Sequence, residues 1–149
     1  MAVAKELLAP CGLFCGVCSI RIAHVNNDAK FKEKLSGVYG VKPEDIQCEG
    51  CLSETPFLFC RSCPIKTCTQ QKGYAGCHEC ADFPCVHIEN FPFPIAKKVM
   101  LRAIPAWKEL GTEKWVEAEY KRYSCPQCGS ALFRGAQRCR SCKTEVHID

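Results

Sequence analysis

The chain has 149 residues and a formal net charge of +4, and its 15 cysteines make up a large part of the 47% of residues that are apolar. That length allows one ordinary domain or two small ones. A composition so rich in cysteine leads us to expect covalent or metal cross-links, because small domains of this kind usually use them in place of core burial.

The N-terminus does not have the features of a secretory signal. Lys5 and Glu6 interrupt it, and no apolar segment precedes a small-residue cleavage site. No run of about 18 apolar residues is present, so we expect no membrane span. We therefore expect a cytoplasmic protein with reduced thiols. The odd cysteine count and the repeated C-x-x-C pairs then favour metal binding over disulfides.

The first cysteine motif is Cys11-Gly-Leu-Phe-Cys15-Gly-Val-Cys18. Its C-x3-C-x2-C spacing is shared with radical S-adenosylmethionine enzymes, but the chain is too short for a catalytic barrel of about 200 residues. Zinc is the simpler interpretation, and an iron–sulfur cluster is the alternative. Gly12 and Gly16 would permit the tight turns of a metal-binding knuckle.

Residues 19–37 have the pattern of a helix that is broken at Asn26-Asn27-Asp28, where Asp28 would cap a second segment. His24 lies near the apolar face, and we expect it to be a structural hydrogen-bonding residue. A loop with Gly40 and Pro43 should follow.

Eight cysteines then fall within 38 residues, which makes eleven from Cys11 to Cys85. Two zinc ions need eight ligands, so three thiols are surplus unless there is a third metal, a cluster or ordinary buried cysteine. His78 and His87 are alternative ligands. The candidate ligands in this part are Cys11, Cys15, Cys18, Cys48, Cys51, Cys60, Cys63, Cys68, Cys77, Cys80 and Cys85. Spacing alone does not pair them.

A family resemblance rests on an ordered set of motifs: Cys11-Gly-x-x-Cys15-x-x-Cys18, Cys48-x-Gly50-Cys51, Cys63-x-Ile65-Lys66-x-Cys68, Lys72-Gly73 and Cys77-x-x-Cys80-x-x-Phe83-Pro84-Cys85. Over about residues 8–90 the chain resembles the DUF3795 family of functionally uncharacterised prokaryotic proteins. The resemblance implies a zinc-binding domain and no known reaction.

The sequence of residues 91–123 predicts helices that pack against the rest of the chain, and it contains no candidate ligand or catalytic residue. Pro94 suits the first turn of a helix whose apolar stripe runs from Ile95 to Ile104, and Pro105 should end or kink it. Gly111 should stop this segment, and Thr112 should cap a second helix to about Tyr123. The stripe predicts a helix face that is buried in the core. The alternative is an exposed groove for a partner protein, because two helices alone do not bury both tryptophans.

The last segment predicts a zinc ribbon. Cys125-Pro-Gln-Cys128 and Cys139-Arg-Ser-Cys142 are two knuckles separated by ten residues, with short strands expected between and after them. Four cysteine ligands leave no open position, so the site should be structural.

The positive charge is concentrated in this same segment, since residues 121–149 contain six Lys or Arg and two Asp or Glu. A four-thiolate zinc site carries a net charge of about −2, which reduces the surplus. Binding of nucleic-acid phosphates therefore has weak support. The basic residues are Lys121, Arg122, Arg134, Arg138, Arg140 and Lys143.

Together these patterns predict a small, metal-stabilised, α-rich (α+β) protein with three parts. They are a cysteine-rich metal-binding domain (1–90), a helical linker (91–123) and a zinc ribbon (124–149), with about three zinc ions. We find no catalytic motif, so the preferred hypothesis is a non-catalytic binding or adapter module for another protein. The alternatives are a redox- or metal-responsive protein that uses surplus thiols or an iron–sulfur cluster in Cys11–Cys85, and nucleic-acid binding through the ribbon.

Overall fold

A computed structural model describes residues 3–149, which form seven α-helices. They are α1 Ser19–Val25, α2 Ala29–Tyr39, α3 Leu58–Arg61, α4 Pro64–Lys72, α5 Val86–Glu89, α6 Pro94–Leu110 and α7 Thr112–Arg122. Single 3-10 turns lie at Lys5–Leu7, Cys15–Val17, Pro43–Asp45 and Cys77–Glu79. No helix in this part of the chain has the length and apolarity needed to cross a membrane.

The expected ribbon strands are not confirmed. In the described residues the chain after α7 makes only two isolated antiparallel bridges, Ser124 to Ala131 and Arg138 to Glu145. The backbone N–H groups of Cys125 and Cys139 are instead used in turns. So few residues remain for pairing that a continuous ladder does not form, and the fold is helix-rich.

The break between α1 and α2 lies where the sequence places it. The side chain of Asp28 accepts a hydrogen bond from the backbone N–H of Phe31 at 3.1 Å, which caps α2. The helix extends two residues beyond Gly37 and ends at Tyr39, where Gly40 adopts a left-handed conformation with φ of 68°.

Two expectations about the long helices need correction. Helix α6 begins at Pro94, which lies in its first turn as predicted, and it continues through Pro105 to Leu110, so the expectation that Pro105 ends the helix is wrong. Buried Ile104 and Trp107 flank the proline, and their packing offsets the backbone hydrogen bond that proline cannot donate. Thr112 makes no capping hydrogen bond, because its hydroxyl accepts from the Trp107 indole N–H at 3.0 Å.

The tryptophans of α6 and α7 lie at the centre of the main core. Trp107 and Trp115 are 1% and 0% exposed, and their rings stack with centroids 4.3 Å apart. The His78 ring stacks on the other face of Trp107 at 3.8 Å. From Val99 to Ile104 the apolar stripe of α6 is core, as predicted, and this part offers no exposed groove, whereas Ile95 at the start of the stripe is 50% exposed.

A buried ion pair also joins α6 to α7. Glu119 is 2% exposed, and both of its carboxylate oxygens accept from Arg102, at 2.6 and 3.2 Å. This bidentate geometry compensates for the loss of solvent around the carboxylate.

We expect Arg102→Met to lower the free energy of unfolding by about 2 kcal/mol, because Glu119 would then be buried without its positive partner. Urea denaturation measures the change. The double variant Arg102→Met/Glu119→Leu removes both charges and should recover most of the loss. A double variant that is no more stable than the single one would contradict this account.

Candidate metal centres

The tail cysteines form the tightest group of possible metal ligands. Among the described residues, they are the one set of three or more such residues whose ligand atoms all lie within 4.8 Å of one another: Cys125, Cys128, Cys139 and Cys142. The sulfurs of Cys125 and Cys142 are 3.7 Å apart, and those of Cys128 and Cys139 are 3.6 Å apart. Four sulfurs around one ion with bonds of about 2.3 Å would be about 3.8 Å apart, so the donor set fits a single tetrahedral ion.

Two similar turns create this arrangement. In each, the backbone carbonyl of the first cysteine accepts a hydrogen bond from the N–H of the residue four positions later. The backbone N–H of the same cysteine donates to the carbonyl of the residue five positions later. In each, the residue after the second cysteine has a positive φ, 75° for Gly129 and 65° for Lys143. The tail is therefore built from two copies of one knuckle, and Lys143 holds a conformation that glycine adopts more easily.

The environment of the tail thiols favours thiolate at two positions. The nearby Ser130 hydroxyl, 3.3 Å from the sulfur, lowers the pKa of Cys128 to about 6, and the backbone N–H of Cys142 lowers the pKa of Cys139. At Cys142 the Thr144 N–H acts in the same direction, but burial and the neighbouring thiols outweigh it and raise the pKa to about 11. Since metals bind thiolates, the lowered pKa values at these two positions favour metal binding by the tail.

The eleven remaining cysteines divide into two groups. The first thiol group comprises Cys11, Cys15, Cys18, Cys48, Cys51, Cys60 and Cys63, and the second thiol group comprises Cys68, Cys77, Cys80 and Cys85. Neither group has three sulfurs within 4.8 Å of one another. The structure thus places the predicted ligands of each group near one another, but their sulfur atoms are further apart than those of the tail.

The first thiol group joins distant parts of the chain. The backbone N–H of Cys51 donates to the Cys15 sulfur at 3.3 Å, although 36 positions separate them. The neighbouring Cys60 thiol and burial raise the pKa of Cys51, and the neighbouring Cys51 thiol lowers the pKa of Cys60. Burial raises the pKa of Cys15 to about 12 and that of Cys11 still further. The group is a mixture of buried thiols and one that ionises easily.

The second thiol group surrounds a small cavity of about 20 Å³. Its lining contains all four cysteines of the group together with Ile65, Thr69, Lys72, Tyr74, Phe83 and His87. The ammonium of Lys72 lies 4.0 Å from the Cys80 sulfur. His87, an alternative ligand in the sequence, thus lies at the cavity, whereas His78 is stacked on Trp107.

Arg134 of the tail reaches the first cysteine motif. Its guanidinium donates to the Phe14 carbonyl at 3.1 Å, and its backbone N–H donates to the Val17 carbonyl at 2.8 Å. No carboxylate in residues 3–149 lies within 4.0 Å of this guanidinium. Burial opposes its charge, but the thiols of the first motif act in the other direction and the pKa is raised.

Other tail residues also turn inward. Arg140 pairs with Asp28 and lies over the Phe31 ring, 4.3 Å from its centroid. The Asp149 carboxylate accepts from the Tyr123 hydroxyl at 2.7 Å and from the Gly135 N–H at 3.0 Å. Hydrogen bonds and an ion pair therefore attach the tail to the rest of the chain. The buried side chains of the tail belong to the main core.

Three of these residues have roles that the sequence does not predict. The sequence favours phosphate binding for Arg134 and indicates neither the contact of Lys72 with a thiol nor the contacts of Asp149. No local pattern marks them, because each acts on residues that are distant in the sequence or adjacent only in the fold. His24 was predicted as a structural hydrogen-bonding residue, and its imidazole lies 2.8 Å from Glu49 Oε1.

We expect Arg134→Met to lower the free energy of unfolding by about 1–2 kcal/mol, because the Phe14 carbonyl loses a charged donor. Lys121→Met is the matched control, since it removes the same charge from an exposed residue and should have an effect near zero. Urea denaturation measures both. Equal values for the two variants would show that the contact with Phe14 contributes nothing.

Comparison with known proteins gives one match. A family model described as "Protein of unknown function (DUF3795)" matches residues 7–90, more than half of the chain. No curated protein and no solved structure matches. The matched segment contains both thiol groups, and the four tail cysteines lie outside it.

Proposed function

Because this chain belongs to the DUF3795 family of proteins of unknown function, we propose its role from the metal centres: a non-catalytic zinc-binding module that serves as an adapter for another protein. The observation that carries the proposal is the convergence of four tail sulfurs within 4.8 Å. All four are cysteine, so a bound ion keeps no position for water or substrate. This is the coordination of a structural zinc site.

Zinc would supply stability that the tail's own side chains lack. The tail contributes Leu132, Ala136 and Val146 to the core as its buried residues other than cysteine. A structural zinc ion contributes about 10–16 kcal/mol of apparent binding free energy, which is large compared with the stability of a whole domain. Metal binding would therefore set the folded state of this segment.

An apolar surface supports a protein partner. The rings of Phe59 and Phe93 are both 42% exposed and stack with centroids 6.4 Å apart, beside Tyr39. Clustered exposed apolar groups of this kind are typical of protein interaction sites. We expect Phe59→Ser to reduce the binding of an apolar fluorescent dye, and unchanged dye binding would argue against an accessible surface here.

A redox role for the first thiol group is the second candidate. The neighbouring Cys51 thiol lowers the pKa of Cys60, and a lowered pKa favours a reactive thiolate. An iron–sulfur cluster in this group would give a coloured protein that contains iron. Colourless protein with zinc and no iron would exclude the cluster.

Nucleic-acid binding has less support. The side chains of Arg134, Arg138 and Arg122 donate to carbonyl oxygens of the chain itself, and Arg140 pairs with Asp28. The ammonium of Lys143 also donates, to the Arg140 carbonyl at 2.8 Å, so such contacts occupy five of the six basic residues near the tail. Salt-sensitive binding to DNA or RNA at low ionic strength would restore this alternative.

The principal test is the metal content of anaerobically purified Cys125→Ser. We expect this variant to lose one zinc ion per chain and the order of the tail, while metal bound by residues 11–85 stays, because each tail ligand serves the same ion. Elemental analysis measures the loss. Ser141→Ala, an exposed change inside the second knuckle of the same site, is the control and should keep all the zinc. Unchanged zinc in Cys125→Ser would overturn the proposal.

A further inference from the structure

The cavity of the second thiol group has the size of a one-ion site. Its volume of about 20 Å³ exceeds the roughly 10–15 Å³ that one water-sized body requires and leaves no room for a substrate. Four of the ten residues that line it are cysteines. A void of this size surrounded by thiols suits a single thiolate-binding cation.

Separate elements bring the four cysteines to this cavity. Cys68 lies in α4, Cys77 and Cys80 bracket the turn Cys77–Glu79, and Cys85 is the residue before α5. The scaffold on either side is buried: Ile65 and Thr69 of α4 are 2% and 3% exposed. The backbone N–H of Cys77 donates to the Pro10 carbonyl at 2.9 Å, which fixes the turn.

The surroundings of the cavity also match the charge of such a centre. A divalent ion with four thiolates has a net charge of −2. Lys72 lies at the rim, with its ammonium 4.0 Å from the Cys80 sulfur and 3.8 Å from the Asp82 carboxylate. An ammonium beside a thiolate partly neutralises the negative centre and can donate a hydrogen bond to its sulfur.

We propose that Cys68, Cys77, Cys80 and Cys85 bind one thiolate-preferring divalent cation, of which Zn²⁺ is the natural choice, in the cavity beside Lys72. The proposal rests on the proposed zinc-binding function but concerns a different set of ligands. The four sulfurs are spaced more widely than those of the tail, so binding must draw them together by side-chain rotation. The first thiol group then holds its metal separately. Its cysteines all precede those of the cavity in the sequence, so the two ligand sets follow one another along the chain and do not interleave. Cys63 lies at the boundary between them.

The metal content of cysteine variants tests whether these residues share one ion. We expect Cys68→Ser/Cys80→Ser to lose one zinc ion per chain, and Cys80→Ser/Cys125→Ser to lose two, because the second pair belongs to different centres. Gln71→Ser, an exposed change on α4, is the control and should lose none. A loss of two ions from Cys68→Ser/Cys80→Ser, or of none, would overturn the proposal. If Cys125→Ser alone loses no zinc, the proposed tail site fails, and this result is separate from the outcome for the cavity.

A second measurement uses the unmodified chain and does not depend on a variant that folds. Zinc-loaded protein is exposed to increasing chelator, free thiols are alkylated with iodoacetamide, and each cysteine is followed by mass spectrometry. Thiols that share an ion become reactive together. We expect the four cavity cysteines to be protected at first and then labelled in one step, distinct from the step of the four tail cysteines. Labelling before any chelator is added, or in separate steps, would overturn the shared site.

Discussion

The stack of His78, Trp107 and Trp115 is the contact on which the other parts of the fold depend. It joins a turn between two cysteines of the second thiol group to α6 and α7. Gly76 makes this close approach possible, since a Cβ at that position would lie 2.9 Å from the Trp107 ring. The large rings thus position a cysteine turn that has little regular structure around it.

The molecule combines two kinds of stabilisation. Residues from the N-terminal segment, from both long helices and from the tail share one core cluster. The Arg102–Glu119 pair lies between the long helices, and the tail adds Arg134 and Arg140 as polar attachments. Metal at the thiols would then stabilise knuckles that lie against a packed core, so ion binding and packing should reinforce each other.

The three sets of thiols differ in how fully they are assembled. In the tail, two matching knuckles place the sulfurs at distances suited to one ion. At the cavity, four thiols surround a space for one ion but remain further apart. In the first thiol group, seven cysteines exceed the needs of one tetrahedral ion.

The sequence by itself determined the elements whose cause is local. The C-x-x-C knuckles of the tail, the Asp28 cap and the start of α6 at Pro94 follow from residues within a few positions of one another. The apolar stripe of α6 also predicted a buried face, because its period is that of a helix. The family resemblance was equally visible, since it depends on spacing along the chain.

Tertiary structure decided what depends on residues that are far apart in the sequence. Helix α6 passes through Pro105 because buried neighbours compensate for the missing hydrogen bond, and Arg134 turns toward Phe14 because the tail packs on the first cysteine motif. The division of the eleven cysteines into two groups was equally hidden from the sequence. Identical C-x-x-C spacings do not distinguish one pair from another in the sequence, and only the packing of α4, α5 and α6 brings particular thiols to a common cavity.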